Sequence, residues 1–492
     1  VFALFAVSAA LPIFVAAGPA TALTASEWSI VASPVSLPAH AGVLMGVSCS
    51  EPTACTAVGE AIGTTSQSTL VERWDGTDWA VVASPDPTGS TETLLNGVSC
   101  TGADACIAVG RAFDGFAQVT LAERWNGTTW SILPTPNPTG AIYSELLGVS
   151  CRSATACTAV GATSNGPRKT SIVERWDGIE WTIVSSPNPS DSTMTELRGV
   201  ACVSDTVCTA VGRTADSFGT VARLVEHWDG AGWSIVTSVN SPSVTFSVFH
   251  GVSCVSPSAC IAVGTMVGTS GGDVPLVERW NGASWSTIPA PVPTNTMASD
   301  LFAVSCATAT ACTAVGRGAH ATGYSTLVEQ WEGTAWSIAS SPNPTDYDRS
   351  DLVGIACPGL ATCMAVGGSA NSATAQPLAL RERPALTSTV SVPTTALLCP
   401  PRCRAVGDPV VRTAPRSVAT ARPPSVAPTS VSSDSGMPTV TPPGDQQVAA
   451  PSRRVHDHRP GVPLRLGLTG VVGAVTVAIL WRRAWSRSRA LP

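Results

Sequence analysis

Fourteen of the sixteen cysteines fall in seven pairs of one form, Cys-x5-Cys: Cys49/Cys55, Cys100/Cys106, Cys151/Cys157, Cys202/Cys208, Cys254/Cys260, Cys306/Cys312 and Cys357/Cys363. Thiols at this spacing can cross-link a hairpin or contribute to a metal centre. A structural metal wants about four ligands, and each pair offers two in a separate copy of the sequence, so no metal site is expected. Seven local disulfides are the expectation, and they imply an oxidising compartment. Cys399 and Cys403 break the spacing and look like half a hairpin in degenerate form.

Glu72, Glu123, Glu174, Glu226, Glu278, Glu329 and Glu382 occupy one recurring position. Glycoside hydrolysis needs two carboxyl groups within about 5–10 Å of each other. One glutamate per copy keeps these apart, which favours structural hydrogen bonding between copies. The six histidines include no i, i+4 pair, so a helical His-x-x-x-His zinc site is excluded. The single lysine, Lys169, follows Arg168 rather than a glycine, so there is no P-loop. No cofactor is expected and no catalytic set stands out.

Positions that differ between copies carry more information about a ligand. Two residues before a recurring Val or Ile lie Met45, Asn96, Leu147, Arg198, His250, Phe302 and Val353. Two positions earlier again come Glu145, Glu196, Asp300 and Asp351. An acidic rim around one Arg and one His could take a cation or a basic ligand. The candidate ligand residues are therefore Asn96, Glu145, Glu196, Arg198, His250, Asp300 and Asp351.

These residues need a scaffold, and the repeat supplies it. First cysteines of successive pairs are 51 or 52 residues apart, a period that signals propellers or solenoids. Each unit holds four short apolar runs separated by turn residues: GVSC (A), CxAVG (B), LVERW (C) and WSIVxSP (D). Asp75-Gly76, Asn126-Gly127, Asp177-Gly178, Asp229-Gly230 and Asn281-Gly282 stand between C and D, where a tight hairpin demands positive φ. The paired tryptophans of C and D suit core and turn packing. The expectation is an all-β, seven-bladed β-propeller of four-stranded antiparallel blades over residues 27–386. Strand D from Glu27 to Pro34 has no A, B or C before it, while the last unit has A, B and a degenerate C (Leu380 to Pro384) but no Trp-initiated D. Pairing the two would complete the seventh blade and hide two open edges. Length varies only between B and C, so the face made by the B–C and D–A connections is the expected binding face.

The order strand, turn, AVG, loop, LVERWDGxxW resembles the kelch-type, galactose-oxidase-like propeller repeat, in which a glycine ends the second strand and aromatics flank the C–D turn. The Asp-Gly-x-x-Trp turn is also similar to the Asp-box of sialidase-like propellers. Both resemblances imply the fold. Neither implies an activity, because propellers host many.

The ends of the chain suggest display outside the cell. Residues 1–22 end in Ala20-Thr21-Ala22 after an apolar run and read as a signal peptide. Residues 387–463, rich in Pro, Ser and Thr, read as an extended stalk, 464–481 as a transmembrane anchor and 482–492 as a basic cytoplasmic tail. Residues 399–492 hold 13 Arg and 4 Asp, so of the net −6 the preceding residues carry −15. So acidic a body repels phosphates, and no nucleic acid partner is expected. The partner expected is an envelope or extracellular ligand, protein or glycan, with membrane contact through the C-terminal anchor. An extracellular glycan-acting enzyme is the alternative.

Overall fold

The computed structural model describes residues 27–34, 41–238, 246–267 and 271–384. The expected signal peptide, stalk, anchor and tail lie outside the described residues, as do Cys399 and Cys403. The described residues form 28 strands and no helix, a β-propeller fold in which one four-stranded antiparallel unit recurs seven times. None of them forms a helix long and apolar enough to cross a membrane.

Blade 1 shows the pattern. Strand A spans Ala41–Glu51, B Ala54–Ile62, C Gln67–Trp74 and D Trp79–Val81. B and C each run three residues beyond the AVG and LVERW motifs, so the long B–C stretch of the sequence is mostly paired strand around a four-residue tip. D is shorter than its motif, because a proline follows within a few residues and cannot donate to a ladder. A short outer strand also leaves little open edge.

Two glycine positions are fixed by geometry. Gly76 has φ +104° in the C–D turn, and its counterparts Gly127, Gly178, Gly230, Gly282 and Gly333 are also positive. In the same turn Asp75 Oδ1 accepts from the Thr77 and Asp78 amides. The AVG glycine is excluded from substitution for another reason: a Cβ on Gly59 would stand 1.9 Å from the Val43 carbonyl oxygen, and one on Gly161 1.9 Å from that of Glu145. The cause is a bulge in strand A, where the register jumps from Leu44 to Gly46 and leaves Met45 without a cross-strand partner.

The core is divided among the blade interfaces. Leu95 and Val98 of blade 2 pack with Val58 and Val71 of blade 1, and blades 1 to 6 each add a tryptophan pair while blade 7 adds Trp28. Trp74 and Trp79 have ring centroids 5.7 Å apart and both are buried.

The cysteines pair across the A–B hairpins as expected: Cys49 with Cys55, Cys100 with Cys106, Cys151 with Cys157, Cys202 with Cys208, Cys254 with Cys260, Cys306 with Cys312 and Cys357 with Cys363. The structure adds a distinction between the two members of each pair. Spacing alone says nothing of their burial, and the structure separates them. Cys55, Cys106, Cys157, Cys208, Cys260, Cys312 and Cys363 are only 1–4% exposed and belong to the inter-blade cores, while their partners are half-buried at the core margin. The reason is strand order. Strand B runs between A and C, so Cys55 is flanked by Cys49 on one side and Trp74 on the other, as Cys157 is by Cys151 and Trp176, Cys260 by Cys254 and Trp280, and Cys312 by Cys306 and Trp331. Cys363 stands just before strand B of blade 7, where its carbonyl accepts the Glu382 amide. These seven are packing residues as much as cross-links, and none is open to a ligand.

The N-terminal strand Glu27–Val31 pairs antiparallel with Ala375–Arg383, from Glu27 opposite Arg383 to Val31 opposite Ala379. It thus occupies the D position of blade 7. The partner strand begins five residues before the expected Leu380, because its ladder with strand B continues back to Ala375 opposite Ala370. Blade 7 also packs on blade 1: Met364, Val366 and Ala379 share a core with Leu44, Val47 and Trp74.

Candidate functional site

The bulge recurs in every blade at the position that varies most. Registers jump across Asn96, Leu147, Arg198, His250, Phe302 and Val353 as they do across Met45. A bulge re-aims its extra residue out of the ladder, so seven unlike side chains are released from pairing at one level of the inner strands. Neighbours touch in sequence around that level. The Asn96 amide donates to the Leu146 carbonyl at 2.8 Å, Arg198 Nη1 lies 2.8 Å from His250 Nδ1, and the His250 ring meets Phe302 edge-on at 5.3 Å. All seven residues are half-buried. The level lies toward the B–C and D–A connections, since strand A starts beside the B–C tip: Tyr143 pairs with Ser164.

Glu145, Glu196, Asp300 and Asp351 do not form a solvent-facing acidic rim. They are buried, and they turn between blades into a network of cations. An unpaired buried charge is costly, and Glu145, Glu196 and Asp300 each have a cation within 4 Å. Glu145 lies 3.8 Å from Arg111 and 4.0 Å from Lys169, and it accepts the Tyr143 hydroxyl. Glu196 meets Arg198 at 2.6 Å, Lys169 at 3.2 Å and Arg213 at 3.6 Å. Burial alone pushes the Glu196 carboxyl up, but Arg198, Arg213 and Lys169 outweigh it and hold the group well below the usual carboxylate range. Asp300 pairs with Arg317 at 2.9 Å and accepts Thr265 Oγ1 at 3.0 Å. Asp351 is pushed up to about 6 by burial, partly offset by Arg317, and its Oδ2 has no hydrogen-bond partner.

Sequence reasoning missed Arg111, Lys169, Arg213 and Arg317. Three of them directly follow the AVG glycine, the position paired across the A–B ladder with the rim: Leu94 faces Arg111, Glu196 faces Arg213 and Asp300 faces Arg317. A charge alternating with apolar residues beyond that glycine was the available signal. Lys169 opens strand C of blade 3 and lies over the Tyr143 ring at 4.3 Å.

Glu72, Glu123, Glu174, Glu226, Glu278 and Glu329 of strand C are buried between blades, whereas Glu382 does not share their position: Leu380 faces Ala365 where Glu72 faces Ala57, and Glu382 stands opposite Trp28 at the place of the strand C tryptophan. Ser33 Oγ lies 2.8 Å from both Glu72 oxygens, Ser186 lies 2.7 Å from Glu226 and Ser238 lies 2.7 Å from Glu278, each serine standing just after the D strand of the preceding blade. Thr135 donates instead to the Thr120 carbonyl, and Ala290 stands where Glu329 would find a serine. Burial pushes Glu72 and Glu226 up to about 7, and Glu123, Glu174 and Glu329 up to about 8. Glu278 also has an ion-pair partner, Arg223 at 2.7 Å.

The B–C tips differ by blade. Phe116 and Phe218 are 94% and 91% exposed on blades 2 and 4. Each is held by an aspartate at the loop start, Asp114 Oδ1 accepting the Phe116 amide at 2.8 Å and Asp216 Oδ1 the Phe218 amide at 2.9 Å. Among the described residues no cluster of three or more His, Cys, Asp or Glu side chains is placed to hold a metal ion.

No family model matches the chain, and no curated protein matches it. Solved structures do. YCF48 from Cyanidioschyzon merolae superposes with a TM-score of 0.44 at 16% identity, covering 73% of this chain and 99% of that one. The GH74 xyloglucanase from Xanthomonas campestris gives 0.42 at 12% identity, over 72% of this chain and 55% of its own. An Aleuria aurantia lectin gives 0.38 at 11% identity, over 63% and 98%.

Proposed function

We propose that the chain is a non-catalytic binding propeller of kelch-like repeat order, exported and displayed on a stalk and C-terminal anchor, whose B–C/D–A face takes an envelope or extracellular ligand. The supporting observation is where variation sits. The A–B end repeats the same contacts in blade after blade, while the bulge residues and B–C tips differ and project Phe116 and Phe218 into solvent. Fully exposed phenylalanines fixed by side-chain hydrogen bonds suit contact with a partner surface. Seven disulfide-forming pairs suit an oxidising, extracellular setting.

Glycan processing, the alternative, would need one carboxyl group raised and a second poised beside it. Of the four acidic candidates Asp351 alone is raised, and its acidic neighbour Asp300 is held in an ion pair with Arg317, as Glu145 and Glu196 are with their own cations, which suits positioning more than acid–base work. The test is retention and turnover by the intact chain. Envelope fractions and a glycan array are passed over it, and retained material is assayed for hydrolysis or oxidation. Retention without turnover, weakened by Phe116→Ser and Phe218→Ser, is the expected result. Turnover abolished by Arg198→Ala or His250→Ala would overturn the binding reading in favour of an enzyme.

A further inference from the structure

Arg198 and His250 stand side by side on the inner strands of blades 4 and 5. Arginine has only donors, so the contact between Arg198 Nη1 and His250 Nδ1 makes Nδ1 an acceptor and puts the imidazole proton on Nε2. Burial, reinforced by Arg198, keeps that imidazole neutral by lowering its pKa well below the ordinary value. Arg198 is fixed from behind by Nε to the Glu196 carboxylate at 2.6 Å. Two donor groups are left over: Arg198 Nη2 and His250 Nε2–H engage no described group. They are oriented, adjacent and half-buried.

The ring residues next to this pair are apolar on both flanks, and the one further polar member, Asn96, spends its amide on the Leu146 carbonyl. Phe302 follows His250, and Val353 and Met45 follow Phe302, since Gly354 lies against Gly46 at 3.1 Å from its prospective Cβ. Leu147 lies on the other side of Arg198. A phosphate or sulfate carries more charge and acceptors than one guanidinium edge and one imidazole N–H can match. A carboxylate presents two oxygens to such a pair, and its neighbouring atoms would meet hydrocarbon.

We propose that this ring receives a free carboxylate carried next to a compact apolar group, with Arg198 and His250 taking the oxygens and Phe302, Val353 and Met45 the apolar group. The proposal rests on the reading of the B–C/D–A face as the binding face. The same chemistry is offered by a small organic acid and by the C-terminus of a polypeptide ending in an apolar residue.

Titration calorimetry on the intact chain tests it with 4-methylpentanoate, N-acetyl-leucine and an N-acetylated hexapeptide ending in leucine, each beside its amide. The acids bind and the amides lose at least about tenfold, the size of a lost charge-assisted pair of hydrogen bonds. Arg198→Gln and His250→Leu each weaken the acid by a similar factor, and thermal melts verify that both variants are folded. If Arg198→Gln does not fold, His250→Leu carries the test alone, since it leaves the Arg198–Glu196 pair in place. A peptide acid tighter than N-acetyl-leucine identifies a polypeptide terminus, and equal affinities identify a small acid. Amides that bind as well as acids, or no binding by any acid, overturn the proposal. Envelope material released by Phe116→Ser and Phe218→Ser but not by Arg198→Gln would leave the binding face standing and remove only the carboxylate site.

Discussion

At the end of each blade that carries the A–B and C–D hairpins, the same contacts recur from copy to copy. A disulfide crosses the A–B hairpin in every blade, a tryptophan pair fills the C–D turn in blades 1 to 6, and in five blades the GVSC serine accepts the next blade's cysteine amide, as Ser48 does from Cys100 at 2.9 Å and Ser99 from Cys151 at 3.0 Å. At the other end almost nothing recurs except the bulge. There one blade presents Arg198, another Phe302, another Val353. Stability concentrated at one end frees the other from any packing duty that would hold its residues alike. A residue repeated in every blade is explained by that first end, and a search for function belongs at the second.

The largest test of this division is removal of the N-terminal strand. Glu27–Val31 contributes the D strand of blade 7, buries Trp28 with Leu378 and Leu380, and places Ser33 on Glu72 of blade 1. A chain beginning at Leu44 should expose the edge of Ala375–Arg383 and an apolar strip. Loss of a single cooperative melting transition, or aggregation, is the expected outcome. Unchanged unfolding would mean that the blades stack as an open array.

Next in size is the loss of one disulfide. Replacing Cys202 and Cys208 by serine should destabilise by about 2.4 kcal/mol or less on loop-entropy grounds. The buried Cys208 position adds to that, while ligand binding at Arg198 should be unaffected. Equilibrium denaturation with and without reductant, read beside ligand titration, checks both halves. A change in affinity as large as the change in stability would show that the two ends are not separate.

Much of the repeated end was legible because repetition reveals it. The cysteine spacing, the Asp-Gly turns and the unmatched D strand each specify a local geometry that seven copies corroborate. Spacing did not reveal which cysteine of a pair is buried, since that depends on strand B lying inside its blade. The candidate site was half legible. Variation picked out the bulge residues, yet no one-dimensional pattern reveals a bulge or the charges that lie across a blade interface. Glu145 and Glu196 stand on the regular ladder just before the bulge, beside Arg111, Lys169 and Arg213, which come from other strands or other blades. Long-range charge pairing of that kind depends on how blades stack, and stacking is absent from any single repeat.

The buried glutamates give the two ends opposite responses to pH. In the folded chain Glu123 and Glu329 stay protonated up to about 8, whereas unfolded glutamate releases its proton near pH 4.5. The folded state binds more protons between those values, so this contribution to stability falls as pH rises from about 4.5 to 8. Glu196, held well below the usual range, has the opposite sign: its contribution is present above about pH 4.5 and is lost as pH falls further. Melting temperature should therefore peak at mildly acidic pH. Glu329→Gln, which removes the buried ionisable group where Ala290 offers no partner, should flatten the alkaline limb and stabilise by about 1–2 kcal/mol at pH 8. A steeper limb in that variant would contradict the burial argument.

The smallest effect comes from a missing contact in the repeated end. Ser48, Ser99, Ser150, Ser253 and Ser305 each accept the cysteine amide of the following blade, at 2.9 to 3.1 Å. Blade 4 has Ala201 at this position, so Cys254 of blade 5 receives no such acceptor, and blade 7 has Ala356 facing Cys49 of blade 1 in the same way. Ala201→Ser adds one oxygen at a half-buried site whose geometry is set by five working copies. A net gain of about 0.5–1 kcal/mol is expected, the usual worth of one intramolecular hydrogen bond, with the Cys254 amide exchanging more slowly with deuterium. Carboxylate affinity at Arg198 and His250 should not move, although both residues lie on the same two strands as the new bond. If affinity shifts while stability does not, the bulge fails to insulate the variable end from the repeated one, and the contrast between the two ends is one of sequence alone.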